Sequence, residues 1–67
     1  MISLVINGET RQVAGVSTLM ELVKHLELEP LRVAIEVNRR IVRRVDWPGH
    51  PLNDDDKVEI VQFVGGG

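Results

Sequence analysis

The residues with the most chemical potential in this sequence stand at its end. Val58 to Val64 is largely β-branched or aromatic and reads as a strand, expected to be well buried. Gly65, Gly66 and Gly67 follow it directly. Three residues without side chains should leave the domain as a thin, mobile arm whose one reactive group is the Gly67 carboxylate. Such an arm suits a carboxylate that must reach a nucleotide held in another protein's cleft. A Cβ on either of the last two residues would widen the arm and restrict its dihedrals. A frayed or appended end would have the same composition, so the position of the glycines directly after a strand is the feature to test.

No other constellation supports catalysis. The chain has no cysteine and no tyrosine, which removes thiolate nucleophiles, disulfides and thiolate zinc sites. Ser3, Thr10, Ser17 and Thr18 have no histidine partner in the expected layout. His25 is placed on the exposed side of a helix and His50 in a proline-flanked loop, both as surface residues. Asp54-Asp55-Asp56 fits no EF-hand spacing and reads as a solvated turn, so no metal site is expected. Arg39, Arg40, Arg43 and Arg44 could form a nucleic-acid patch. The net charge of −2 and the scarcity of aromatics, Trp47 and Phe63 alone, favour an arginine-rich hairpin edge that discourages strand pairing. A partner-docking role for these arginines stays open. Trp47 is expected in the core, whereas Phe63 could be core or interface anchor.

The elements that would position the tail follow from pattern. Met1 to Asn7 alternates, with Ile2, Leu4 and Ile6 on one face. Asn7-Gly8 is a strong hairpin signal because both residues tolerate positive φ, and Glu9 to Val13 is the return strand. Thr18 and Glu21 form a T-x-x-E capping box. Behind it Leu19, Leu22, Val23 and Leu26 make one helical stripe that ends before Pro30. Arg32 to Asn38 alternates again around Val33, Ile35 and Val37. Asn38-Arg39-Arg40 reads as a turn and Ile41-Val42 as a short fourth strand. The Trp47-Pro48-Gly49-His50-Pro51 stretch excludes regular helix or a central strand, and Asn53 to Asp56 turns into the last strand.

Sixty-seven residues with 43% hydrophobic content make one small domain, which buries roughly 60% of its unfolded surface. No apolar run has the length of a membrane span, and no signal peptide is evident, so a cytoplasmic location is expected. The first and last strands are the most apolar and form the natural central pair. With the helix as crossover they should be parallel. The expected class is α+β, a β-grasp (ubiquitin-like) mixed sheet of four to five strands with one main helix on one face. The domain should span residues 1–64, and the glycine tail residues 65–67.

Over nearly its whole length the chain resembles the ThiS family of sulfur carrier proteins of thiamin thiazole biosynthesis. The matching residues are Val5-Ile6-Asn7-Gly8-Glu9, Thr18-Leu19, Val33-Ala34-Ile35-Glu36-Val37-Asn38, Ile41-Val42, Trp47, Leu52, Asp56-Lys57-Val58-Glu59-Ile60-Val61 and the closing glycines. Asp55 stands where the family often has glycine, and Arg43 where many relatives have proline. The resemblance implies a carrier and not an enzyme. A ThiF-like adenylyltransferase would use ATP to join the Gly67 carboxylate to AMP. A persulfide sulfur donor would then convert it to a thiocarboxylate, and a ThiG-like thiazole synthase would accept the sulfur. No cofactor would be bound by the carrier itself. Gly66 would give access, Gly65 would lengthen the arm, and the sheet surface at Val61 and Phe63 would dock partners. A carrier for another product, molybdopterin or a thiolated tRNA base, and an interaction module with an inert tail are the alternatives.

Overall fold

The computed structural model describes residues 1–63. Five strands form one mixed sheet: β1 (Ile2–Ile6), β2 (Glu9–Val13), β3 (Val33–Val37), β4 (Arg40–Ile41) and β5 (Lys57–Gln62), in the order β2-β1-β5-β3-β4. The one α-helix among the described residues, α1 (Leu19–His25), connects β2 to β3 and covers one face. β1 and β5 run parallel at the centre, with Val5 opposite Lys57 and Ile6 opposite Val58. The other pairings are antiparallel. This is the β-grasp arrangement that the apolar pattern implies.

Local chemistry explains each boundary. Thr18 accepts a hydrogen bond from the Glu21 N–H at 3.2 Å, and a Glu21 carboxylate oxygen accepts from the Thr18 N–H at 3.0 Å. The capping box is therefore complete. The same carboxylate oxygen also accepts from the Ser17 hydroxyl and N–H. At the other end the helix stops earlier than Pro30 requires. Glu27 takes a left-handed φ of 56°, the Leu28 N–H reaches the Val23 carbonyl, and the Glu27 N–H reaches that of Lys24. This is a Schellman closure with glutamate in the usual glycine position. Leu28 folds back against the core.

Both tight hairpins use two-residue loops with two positive φ values: Asn7-Gly8 and Asn38-Arg39. The second corrects the expected turn, because Arg40 pairs with Val37 as the first residue of β4 and Val42 lies beyond the strand. Two 3₁₀ segments complete the chain, Pro30–Arg32 and Arg44–Gly49. The second contains Pro48, which a 3₁₀ turn tolerates where an α-helix interior would not.

The core lies between α1 and the inner sheet face. Leu4, Leu19, Leu22, Val23, Ile35, Trp47 and Val58 are its most enclosed side chains. Trp47, as expected, is buried, and its indole N–H donates to the Val42 carbonyl at 2.9 Å. That bond fixes the strap after β4. The strap's continuation is tied to the helix start by Leu19 N–H to the His50 carbonyl and Leu52 N–H to the Ser17 carbonyl, each 2.9 Å. His50 is thus half-buried and not fully on the surface.

Two predictions follow from these local devices. Arg39 holds a φ of 71°, a region that disfavours a Cβ, so Arg39→Gly should stabilise the fold by about 0.5–1 kcal/mol. Urea denaturation measures this as a higher midpoint with an unchanged slope. Secondly, hydrogen bonds from the Ser17 side chain, then from the Ser17 and Thr18 backbone, hold the Glu21 carboxyl below the usual glutamate range. A depressed folded value means that the cap contributes fully above the unfolded glutamate value of about 4.3, and is lost as pH falls through the folded one. Melting temperature should therefore drop on acidification below that point by more in the wild type than in Glu21→Gln.

Candidate functional site at the end of the last strand

The end of β5 is where the structure departs from what stability alone would select. Val58 is fully buried and Ile60 partly so, Gln62 on the same side is exposed beside Leu26 and Leu28, and Lys57, Glu59 and Val61 face outward. Val61 is 57% exposed and Phe63, just past the strand, 55%. The expectation of a well-buried last strand is therefore corrected, because only alternate residues reach the helix side. The helix covers one face of the sheet and leaves the other open. Phe63 is thereby an exposed residue and not a core member, and Val61 sits beside it on the uncovered face. Gly65, Gly66 and Gly67 lie outside the described residues, as does Val64.

The exposed apolar residues have a firm base. Ala34 lies opposite Val61 in the β3–β5 ladder. The Phe63 N–H donates to the Arg32 carbonyl at 2.7 Å, so ladder bonding continues one residue past β5. On the other side β1 turns away at Asn7, and the Asn7 side chain takes over the pairing. Its amide oxygen accepts from the Ile60 N–H at 2.7 Å, and its amide nitrogen donates to the Ile60 carbonyl at 3.2 Å. One side chain thereby imitates the next peptide of a parallel strand. Asn38 plays a similar part at the start of β5. Its side-chain oxygen accepts from the Lys57 N–H, its amide nitrogen donates to Asp56, and its own N–H donates to the Lys57 carbonyl at 2.7 Å.

Asn7, expected as a turn residue, is also a clamp, a role that its place in the turn does not announce. The available signal was the expected parallel pairing of the first and last strands, which brings the end of β1 alongside β5.

The acidic run is also more than a solvated turn. Asp54 accepts from the Ser3 N–H and Asp56 from the Asn53 N–H, both at 2.8 Å. The Asp55 N–H reaches the Ser3 carbonyl at 2.7 Å. Asp55 has a φ of 71°, the left-handed conformation anticipated for a residue standing in a usual glycine position. Among the described residues no three His, Asp or Glu side chains gather in a way that could hold a metal ion. His25 is exposed on the helix, and among the described residues no hydrogen bond joins either histidine side chain to a serine or threonine. Arg39 and Arg40 lie on the β3–β4 hairpin and Arg43 and Arg44 on the strap after it, where the last two border a hollow with Ala34, the residue opposite Val61.

A five-stranded grasp around one helix, with its last strand running out exposed toward terminal glycines, defines a small ubiquitin-like β-grasp protein. Comparison with known proteins narrows the class. The family model described as the ThiS family matches residues 4–67. A thiazole synthase of Paramagnetospirillum magneticum is 42% identical over 64 residues, covering 96% of this chain and 20% of that protein. The sulfur carrier protein ThiS of Thermus thermophilus is 36% identical over 62 residues, covering 92% of this chain and 95% of that one. The crystal structure of the thiamine biosynthesis protein ThiS from Geobacter metallireducens superposes with a TM-score of 0.83 at 29% identity, over 98% of this chain and all of that one. The chain belongs to the ThiS family. It spans about a fifth of the length of the thiazole synthases it matches.

The Asn7 clamp is separable from the turn by Asn7→Gly, which keeps the positive φ and removes the amide. Loss of two exposed hydrogen bonds should cost about 1–2 kcal/mol. Hydrogen exchange at the Ile60 amide should accelerate by more than at Val58, which β1 still covers. Equal acceleration at both would show that the side chain does not act as a local clamp.

Proposed function

We propose that this protein is a sulfur carrier whose working group is the Gly67 carboxylate. The observation that carries the reading is the family match, which runs through the body and includes the terminal glycines. The relatives named as sulfur carrier proteins, in Thermus thermophilus and Escherichia coli, support it. So does the uncovered surface at Val61 and Phe63, on the segment that leads to those glycines.

The chemistry follows from the group. A C-terminal carboxylate has a pKa near ~3.5, so at neutral pH it is ionised and a poor acyl donor. A ThiF-like adenylyltransferase solves this by ATP-dependent formation of an acyl-adenylate, with release of pyrophosphate. The terminal sulfur of a persulfide donor then attacks the acyl carbon and AMP leaves. Reductive cleavage of the resulting acyl disulfide by a thiol frees the Gly67 thiocarboxylate. A ThiG-like thiazole synthase is the acceptor, a role consistent with the thiazole synthases that contain a related stretch. In this scheme the protein is a substrate of its partners and not a catalyst, and ATP binds to the partner. Gly66 and Gly65 give the slender approach, and Val61 and Phe63 supply the docking area. A cytoplasmic location suits an ATP-dependent activation of this kind. No helix among the described residues is long and apolar enough to cross a membrane.

Intact-mass analysis of the protein produced with its adenylating and sulfur-donating partners tests the proposal. A fraction should carry one sulfur in place of one C-terminal oxygen. Deleting Gly66 and Gly67 should abolish acceptance of AMP and leave the melting temperature unchanged. Persistent absence of the thiocarboxylate with an active adenylating partner would remove the assignment.

A further inference from the structure

Half of the cationic residues of this chain fall within seven positions. Residues 39–45 contain Arg39, Arg40, Arg43 and Arg44 and no acid, a formal charge of +4; the remainder holds four basic and ten acidic residues, a charge of −6, which together give the net −2. All four arginines are exposed. The one salt bridge among the described residues, Arg43 to Asp46 at 3.8 Å, joins side chains that are 80% and 60% exposed, and such pairs contribute little.

Protection of a sheet edge would account for arginines here, but not for the residues between them. Ile41 and Val45 are each 75% exposed, more than Val61 or Phe63. Ile41 shares the uncovered sheet face, since it lies opposite Glu36. The strip is also rigidly mounted. The Val42 N–H donates to the Ile35 carbonyl at 3.0 Å, and the Val42 carbonyl accepts from the buried Trp47 indole. An open hollow is lined jointly by Ala34 of β3 and by Ile41, Arg43, Arg44 and Val45 of the strip. Guanidinium groups flanking aliphatic side chains on a fixed frame are the composition of a protein-docking surface.

We propose that Arg39, Arg40, Arg43 and Arg44, with Ile41 and Val45 as apolar anchors, dock onto a carboxylate-rich face of the adenylating enzyme. This rests on the sulfur-carrier reading. The adenylation step joins an anionic tail on an anionic protein to a polyanionic nucleotide, so encounter there is the most opposed electrostatically. A cationic strip carried on the body of an otherwise acidic protein draws that body onto a carboxylate-rich face of the enzyme. Aliphatic anchors and an acidic remainder argue for a protein partner over a nucleic acid, which would be met with stacking aromatics.

The test uses the full chain and the adenylating enzyme of the same organism. Carrier-dependent ATP–pyrophosphate exchange is measured at low and high salt, alongside direct binding by fluorescence anisotropy. The variants are the quadruple arginine-to-glutamine protein and Ile41→Ser/Val45→Ser, each checked for an unchanged fold by its melting curve. The glutamine variant should raise the KM for the carrier about tenfold or more at low salt, with kcat unchanged and a flattened salt dependence. The serine variant should raise KM and keep the salt dependence. Wild-type exchange with an unaltered KM in both variants overturns the docking proposal and leaves the carrier reading standing. Arginine-dependent binding of the wild type without exchange supports the surface and counts against the carrier reading. Absence of both binding and exchange overturns the two together. Tight binding of a single-stranded RNA oligomer at physiological salt, lost in the glutamine variant, would reassign the strip to nucleic acid.

Discussion

The parallel seam between β1 and β5 is the constraint on which the rest of this molecule depends. It joins the two ends of the described chain through only two directly opposed residue pairs, Val5 with Lys57 and Ile6 with Val58. So short a ladder would be a weak hold, but it is extended at both ends. Below it the acidic turn grips Ser3 through Asp54 and the Asp55 N–H; above it the Asn7 amide holds Ile60. Hydrogen bonding thus runs unbroken from Ser3 to Asn7 on one strand. Loop-closure entropy opposes a contact so distant in sequence, and this domain has no cysteine with which to staple it. The side-chain clamps and the enclosed Leu4, Ile6 and Val58 take that role.

Once the seam is closed, the other features have little freedom. β5 lies between β1 and β3, so its inner residues must meet α1 and its outer ones the uncovered face. Hydrophobic residues at 58 and 60 satisfy the first requirement. Those at 61 and 63 are not needed for it, and a sequence selected for solubility alone would place polar groups there. The same holds for Ile41 and Val45 on the neighbouring edge. Natural sequences break local consistency where function demands it. Here Val61, Phe63 and Ile41 share one face and Val45 lies on the neighbouring edge, while on the helix side the main break is Glu27 in a left-handed conformation that favours glycine.

Much of this was legible from residue order. The Asn7-Gly8 hairpin, the Thr18–Glu21 box, the apolar stripe of α1 and the alternation of β3 are local signals, and each appears as expected. The central parallel pair followed from which strands were most apolar. The errors have physical causes. The β-prone composition of Val58 to Val64 suggests burial, yet β-branching reports fit to a pleated surface as much as enclosure. The turn expected over Asn38-Arg39-Arg40 is one residue shorter in the structure, because arginine at positive φ gives no sequence signal. The 3₁₀ turn around Pro48 has no periodicity to detect. The clamps by Asn7, Asn38 and the aspartates depend on partners up to 53 residues away, which a local reading cannot see. At the candidate site, Val61 and Phe63 were legible as surface only through their nearness to the glycines.

The division between body and docking surface also bears on how such a domain is used. In the Paramagnetospirillum protein a related stretch forms about a fifth of one long chain, and a tether of that kind supplies an effective concentration that no surface patch need match. In the Thermus sulfur carrier protein the related stretch is 95% of the chain, and an untethered body of such a size meets its partners by diffusion. A carrier with one tail and more than one customer gains nothing from long residence on any of them, because every bound complex withholds the tail from the next step. Charged, solvent-exposed contacts act mainly on the rate of encounter, whereas buried anchors lengthen the complex. Four exposed arginines with only two aliphatic anchors are weighted toward encounter, and a rigid frame under them limits the ordering cost of each visit. The enclosed core around Trp47 therefore serves the strip as well as stability, since the Trp47 indole holds the Val42 carbonyl between the two arginine pairs.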